Sequence, residues 1–220
     1  MAGLAPREAI VASLVVVGAT SALGTWRMHL LGRIRWSIGS KFAAASVIGS
    51  LIGSQAGAFL PGDVLMWTFG LVMVASAWGM LFPPSSLTGG AERDGRNRTR
   101  TFLGLGPTTG LVTGVVGVGG GFLIVPALVI AARLPMPVAS ATSLLVISLN
   151  SLAAFAGHLT DPVDIPWPLV LTFAALAVAG SLVGIALSTR VPAIGLRKGF
   201  AWFTLAVGVG VITIELFHVR

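Results

Sequence analysis

The chain contains no cysteine, which rules out disulfides, thiolate chemistry and cysteine-held metals. Charge is scarce as well: Asp, Glu, Lys and Arg together make up 10% of the 220 residues, and only seven of these are acidic. The three histidines, His29, His158 and His218, are far apart, and no His–carboxylate group has metal-ligand spacing. Each reads better as an interfacial residue than as a ligand. No nucleophile–base constellation stands out, so the sequence points away from an enzyme and implies no cofactor. There is also no polar stretch long enough to form a separate soluble domain.

Apolar side chains fill the chain instead. They amount to 55% of it and give a mean hydropathy of +0.94, which defines an all-α polytopic membrane protein whose solvent is the lipid bilayer. A net charge of +7 would suggest nucleic acid in a soluble protein. In a membrane protein the same residues mark cytoplasmic loops, so nucleic acid is not an expected partner.

The stretch from Phe102 to Ala131 carries no charge. As one straight helix it would reach about 45 Å, against a hydrocarbon core about 30 Å thick. Gly119, Gly120 and Gly121 are consecutive within it, each costing a helix about 1 kcal/mol relative to alanine, and Pro126 follows. The expectation is two short helical pieces meeting at a break inside the membrane. Backbone at Gly117, Gly119, Gly120, Gly121 and Pro126 would then be open to a substrate. The alternative is that these glycines serve only close helix packing, as Gly110-xxx-Gly114 does well. A dinucleotide fingerprint begun at Gly117 would need glycine at position 122, where Phe122 stands.

An internal repeat organises the rest. Leu4 to Ser21 aligns without a gap on Leu134 to Ser151, pairing Ser13-Leu14 with Ser143-Leu144 and Ser21 with Ser151. Further on, Ile34-Arg-Trp36 pairs with Ile165-Pro-Trp167, Gly49-xxx-Gly53 with Gly180-xxx-Gly184, and Leu60-Pro61 with Val191-Pro192. The charged start and apolar run near the N-terminus therefore read as a retained helix, not a signal peptide. The first repeat, 1–82, is expected to hold helices near 9–26, 37–58 and 64–82. A cytoplasmic linker follows at 83–100. The second repeat, 101–220, holds the broken segment 101–131 and helices near 138–156, 166–188 and 197–216. The first repeat has no counterpart of the glycine segment, as though the chain were N-terminally truncated by about 30 residues.

Basic residues fix the expected topology. If the glycine segment crosses once, nine of the 14 Lys and Arg share the linker side and five face the other. If it returns to the side it entered from, or crosses twice, Arg133, Arg190, Arg197 and Lys198 join that side and Arg220 leaves it. The split is then 12 against Arg7 and Arg220. The second arrangement fits the positive-inside rule far better, places the C-terminus outside the inner (plasma) membrane, and makes the repeats inverted.

Each repeat also carries polar side chains in an apolar helix: Thr142, Ser143, Asn150 and Ser151 in the second, Ser13, Thr20 and Ser21 in the first. Their spacing sets them on one helical face. Interhelical hydrogen bonding alone would account for them; beside a glycine break they could equally bind a small oxyanion. No Asp, Glu or His falls at mid-span, so no proton relay is evident, and the membrane potential would be the driving force for export.

Gly117-Val-Gly-Gly-Gly-Phe-Leu-Ile-Val-Pro-Ala-Leu128, followed by Ala141-Thr-Ser-Leu144 and Asn150-Ser151, resembles the sulfite exporter TauE/SafE family of membrane permeases. The resemblance covers nearly the whole chain. It implies transport of small, mostly sulfur-containing anions such as sulfite or sulfonates. Two departures stand out: the first copy of the glycine motif is missing, and Ala12-Ser13 replaces Thr-Ser in the first repeat. A non-transporting membrane subunit is the competing expectation. The sequence is compatible with a homo-oligomer without requiring one.

Overall fold

The computed structural model describes residues 6–57, 59–82, 109–111, 121–130, 132–157, 167–188 and 190–218. Seven helices account for nearly all of them: α1 (Pro6–Leu30), α2 (Trp36–Gly57), α3 (Gly62–Leu81), α4 (Gly121–Ile130), α5 (Met136–Gly157), α6 (Trp167–Ser188) and α7 (Ala193–His218). A short helical turn stands at 109–111, and the described residues hold no strand. The linker 83–100, most of the glycine segment and the 158–166 loop lie outside the described residues.

The helix ends follow local chemistry. α1 closes in a Schellman motif: Gly32, at φ +65°, donates to the His29 carbonyl at 2.9 Å, and Arg33 donates to Met28 at 3.1 Å. This carries α1 four residues beyond Trp26. Pro61, Pro135 and Pro192 each immediately precede a helix start, where a missing N–H costs nothing. Pro126 stands inside α4, not at its edge. A proline there cannot donate to the Phe122 carbonyl, and its ring crowds that oxygen.

Five helices, α1, α3, α5, α6 and α7, are long and apolar enough to cross a membrane. Their outer faces carry Trp26, Leu71, Leu176, Val183 and Phe203, each more than half exposed. α6 buries little beyond Val170. Such surfaces suit lipid, where every helix satisfies its own backbone. α2 is as long as α5 and carries several serines and Lys41; it turns Phe42, Ala43 and Ser46 inward, while Ser37, Ser40, Lys41 and Gln55 are exposed.

Helix α5 is central. It packs against α1, α2 and α4 and touches α7, while α3 pairs with α7 and α1 with α6. α1 runs antiparallel to α5, since Gly18 lies against Ser151 and Gly24 against Leu144. α2 runs parallel to α5: Arg35 lies beside Thr142, Gly39 beside Leu145 and Ser46 beside Asn150. α3 and α7 cross antiparallel at Gly70 and Gly208, where a Cβ on Gly208 would come within 2.9 Å of the Met73 Cβ and 3.2 Å of the Gly70 carbonyl oxygen.

These pairings gather the charges. The turn holding Arg33 and Arg35, the turn holding Arg133, the turn holding Arg190, and Arg197 with Lys198 share one end of the bundle with the C-terminal end of α3. Glu8, Asp63 and Glu215 lie toward the other end. The chain therefore leaves α3 and enters α5 at the same, basic end. Between those points Gly110 lies against Ser46, ten residues and about 15 Å into α2. α4 is ten residues long, so it rises about 15 Å, half of the core, before it ends beside Gly79.

Replacing Gly208 by alanine should lower thermal stability in detergent by about 1–3 kcal/mol, through overpacking against Met73 and the Gly70 backbone. Gly210→Ala, where the added methyl meets open space, should be neutral or stabilising. Tryptophan-fluorescence melting of the two variants compares them directly; equal losses would remove the close crossing.

Candidate functional site

The buried polar groups that meet at mid-bundle are built on α2, α5 and the 109–111 turn. Gly110 sits so close to α2 that an added Cβ would come within 2.7 Å of the Ser46 Cα and 2.8 Å of its carbonyl carbon. Only a residue without a side chain fits there. Thr109 beside it is buried, as is Ser46, at 2% exposure.

Ser46 Oγ lies 3.0 Å from Asn150 Nδ2 and 3.1 Å from Asn150 Oδ1, and 2.9 Å from the Ala43 carbonyl. A hydroxyl has one proton. When that proton goes to Ala43, Ser46 accepts from the Asn150 amide, and the Asn150 carbonyl is left available. When it goes to Asn150 Oδ1, the Ala43 carbonyl keeps only its helical partner. The pair can therefore exchange donor and acceptor roles without moving either helix.

Thr142 is fully buried, and its Oγ1 accepts the Arg35 backbone N–H at 3.3 Å. Ser143 and Ser151 are buried on the same stretch of α5. Ser143 donates to the Ser140 carbonyl at 2.8 Å, within its own helix. Ser21 on α1 is buried and donates to Val17 at 2.6 Å; Thr20 is half-buried and donates to Val16 at 2.8 Å. Ser13 is exposed, its hydroxyl tied to the Ile10 carbonyl at 2.7 Å. Thus Thr142, Ser143, Asn150 and Ser151 share the inward side of α5, Ser21 and Ser151 both lie near the α1–α5 crossing, and Ser13 stands apart. Gly117, Gly119 and Gly120 lie outside the described residues. Gly121 begins α4, and Pro126 is buried within it.

Most of these hydroxyls bond back to their own helix, as Ser and Thr do in apolar helices. Bonds that cross between elements single out Asn150 and Thr142. Ser46, the partner of Asn150, was missed from the sequence: it pairs with nothing polar in the repeat alignment, where Ala177 is its counterpart. Its visible signal was only a buried-looking serine amid alanines, Ala43 to Ala45.

Two recesses open at the basic end. One, about 350 Å³, is lined by Thr25, Trp26, His29, Trp36 and Ser148. Trp36 Nε1 donates to His29 Nδ1 at 3.3 Å with the rings edge-on. The other, about 300 Å³, lies between α3, α4, α5 and α7. Among the described residues no group of His, Asp or Glu could hold a metal.

A polytopic helical bundle with a half-length helix and a buried hydroxyl–amide cluster has the build of a membrane transporter. The comparisons agree: residues 1–211 match the family described as sulfite exporter TauE/SafE, and the chain belongs to it. A probable membrane transporter protein of Xylella fastidiosa is 32% identical over 219 residues, covering 94% of this chain and 80% of that one. One from Methanocaldococcus jannaschii is 26% identical over 192 residues, covering 83% of this chain and 70% of its own. A Bacillus subtilis probable membrane transporter protein, YunE, is 24% identical over 200 residues, covering 84% and 73%. No solved structure matches. The protein is a multi-pass membrane protein of a transporter family.

If the Ser46–Asn150 bond joins the two helices, a double-mutant cycle of Ser46→Ala and Asn150→Ala should show a coupling of about 0.6 kcal/mol, the usual scale for such bonds in membranes. Thermal stability in detergent measures it. Strict additivity would leave the pair without a role in joining α2 to α5.

Proposed function

We propose that the protein carries small, sulfur-containing oxyanions, such as sulfite or sulfonates, across the inner (plasma) membrane. The observation that carries this reading is the mid-bundle meeting of Ser46, Asn150 and the Gly110 backbone, with Thr142 about two turns nearer the basic end, beside a helix that spans only half the core. Hydroxyls, an amide and freed backbone N–H groups are donors suited to an oxyanion. α4 would present its N-terminal end, the positive end of its dipole, at that depth. The family supplies the transporter class; the anion is inferred from the donors and from the sequence resemblance.

On this reading the segment 101–131 enters from the basic end and returns to it, so the two repeats are inverted. Three facts support that. The chain leaves α3 and enters α5 at one end, Gly110 reaches the depth of Ser46, and α4 is half-length. The antiparallel pairing of α1 with α5 and of α3 with α7, each with its own repeat counterpart, is what a two-fold axis in the membrane plane would produce. The basic end, with the linker 83–100, is then cytoplasmic and the C-terminus outside. Reporter fusions after Arg96 and after Arg220 should score inside and outside respectively. A cytoplasmic C-terminus would end the inverted-repeat reading.

The driving force follows from the same arrangement. An inside-negative potential favours anion exit by about 2.3 kcal/mol per charge per 100 mV. That sustains a gradient of roughly 50-fold for a monoanion. Sulfite or sulfonate efflux from proteoliposomes should rise with a valinomycin-set potassium potential in the absence of any pH or sodium gradient. Flux that ignores the potential but follows an imposed proton or sodium gradient would overturn this mechanism.

A further inference from the structure

The recess between α3, α4, α5 and α7 is not part of the hydroxyl–amide cluster. It lies at the basic end, encloses about 300 Å³, and is lined by Gly79, Ile130, Arg133, Pro135, Ala193 and Arg197 with their neighbours. Among the described residues, two guanidinium side chains line it and no acidic side chain does.

The two arginines are held differently. Arg197 is half-buried, and its Nε and Nη2 donate to the Met80 carbonyl at 2.7 and 2.5 Å. Met80 lies in the last turn of α3, so Arg197 caps that helix. A guanidinium has five N–H donors, so three remain. Arg133 is exposed, and its backbone is left-handed at φ +51°. That conformation disfavours any residue with a Cβ, and glycine would adopt it freely. The turn is fixed by Ala132 donating to Ala127 at 3.3 Å and Leu134 donating to Leu128 at 3.1 Å. An arginine thus occupies a position whose backbone suits glycine, beside a second arginine with spare donors. The first residues of α5 and α7, Met136 and Ala193, also line the recess, and their dipoles add potential of the same sign.

We propose that this recess is a second oxyanion site, in which Arg133 and Arg197 hold a sulfonate- or phosphate-like group at the mouth of the transport path. The assignment of the free anion to the transported substrate rests on the proposed function. The same chemistry fits the phosphate of an anionic lipid headgroup, because basic pockets between helices also take these. Guanidinium pairs with planar or tetrahedral oxyanions through paired N–H donors, which a lysine matches only as a point charge.

The decisive variant is Arg133→Gly, which removes the cation while relieving the left-handed strain, so its folding is protected. The full-length protein is reconstituted in pure phosphatidylcholine, and sulfite and methanesulfonate are titrated by calorimetry. Phosphatidylglycerol binding is measured separately by native mass spectrometry. Relative to the parent, Arg133→Gly should lose about tenfold or more in affinity for the oxyanion, as expected for bonds to a charged group. Arg133→Lys should recover part of it. Loss confined to sulfite and methanesulfonate identifies a substrate vestibule; loss confined to phosphatidylglycerol identifies a headgroup site; both outcomes support an oxyanion site. Unchanged affinity for all three probes, in a variant that melts no lower than the parent, overturns it. Flux in the same vesicles separates the two readings. If Arg133→Gly leaves binding intact while the parent shows no sulfite or sulfonate transport, the proposed substrate fails as well as the recess. If transport persists with unaltered half-saturation and unaltered binding, the recess alone fails.

Discussion

Gly110 touches the backbone of Ser46, and much of the interior depends on that contact. In hydrocarbon, helices gain little by hiding apolar surface from a solvent that is equally apolar. They are held by close packing and by polar groups that have no water to turn to. A side chain at Gly110 would push the 109–111 turn away from α2 and open the space beside Ser46, where the bond to Asn150 is made. Gly39 plays the same part toward Leu145 and Thr142, and Gly18 and Gly24 let α1 lie close along α5. Small residues thus decide how near the backbones come, and the distance decides which polar side chains can meet.

Apolarity alone does not decide burial here. Among the five membrane-length helices α6 is the most hydrophobic and is almost wholly outside, whereas the shorter and equally apolar α4 is buried, and α2 turns Phe42, Ala43 and Ser46 inward while Ser37, Ser40 and Lys41 stay exposed. The sorting of Ser46 is energetic: an unpaired hydroxyl in lipid costs several kcal/mol, and Ser46 avoids that by facing α5 and the 109–111 turn. Lys41 lies little more than one turn inside the basic end of α2, near enough for its stem to carry the ammonium outward.

The spans were legible because a membrane helix needs only length and apolarity. The charges were legible because basic loops do not depend on packing. Asn150 and Thr142 could be picked out as polar residues in an apolar helix. Ser46 could not, since its significance comes from what α2 lies against and not from its own neighbours in sequence. Gly110 was read as a packing glycine, but its partner was invisible for the same reason. Pro126 was read with the glycines as part of a break; it stands inside α4, as the sixth residue of that helix. Arg133 carried no signal at all: a left-handed arginine is dictated by the turn that follows α4, and nothing in Ala-Arg-Leu-Pro announces it.

The distribution of charge bears on how such a protein could both bind and release an anion. A guanidinium placed at mid-span would be expensive to bury and would hold an oxyanion tightly once desolvated. Apart from Arg7, the described fold keeps its arginines at one end and sets neutral donors at the depth of Ser46 and Asn150. Neutral hydrogen bonds are about half as strong as charge-assisted ones, so a path that passes from guanidinium to hydroxyl and amide grows weaker inward. Flux requires binding strong enough to draw the ion in and weak enough to let it leave. On the proposed reading, the basic end concentrates the anion by long-range attraction, the buried cluster replaces its hydration without trapping it, and the membrane potential supplies the net direction.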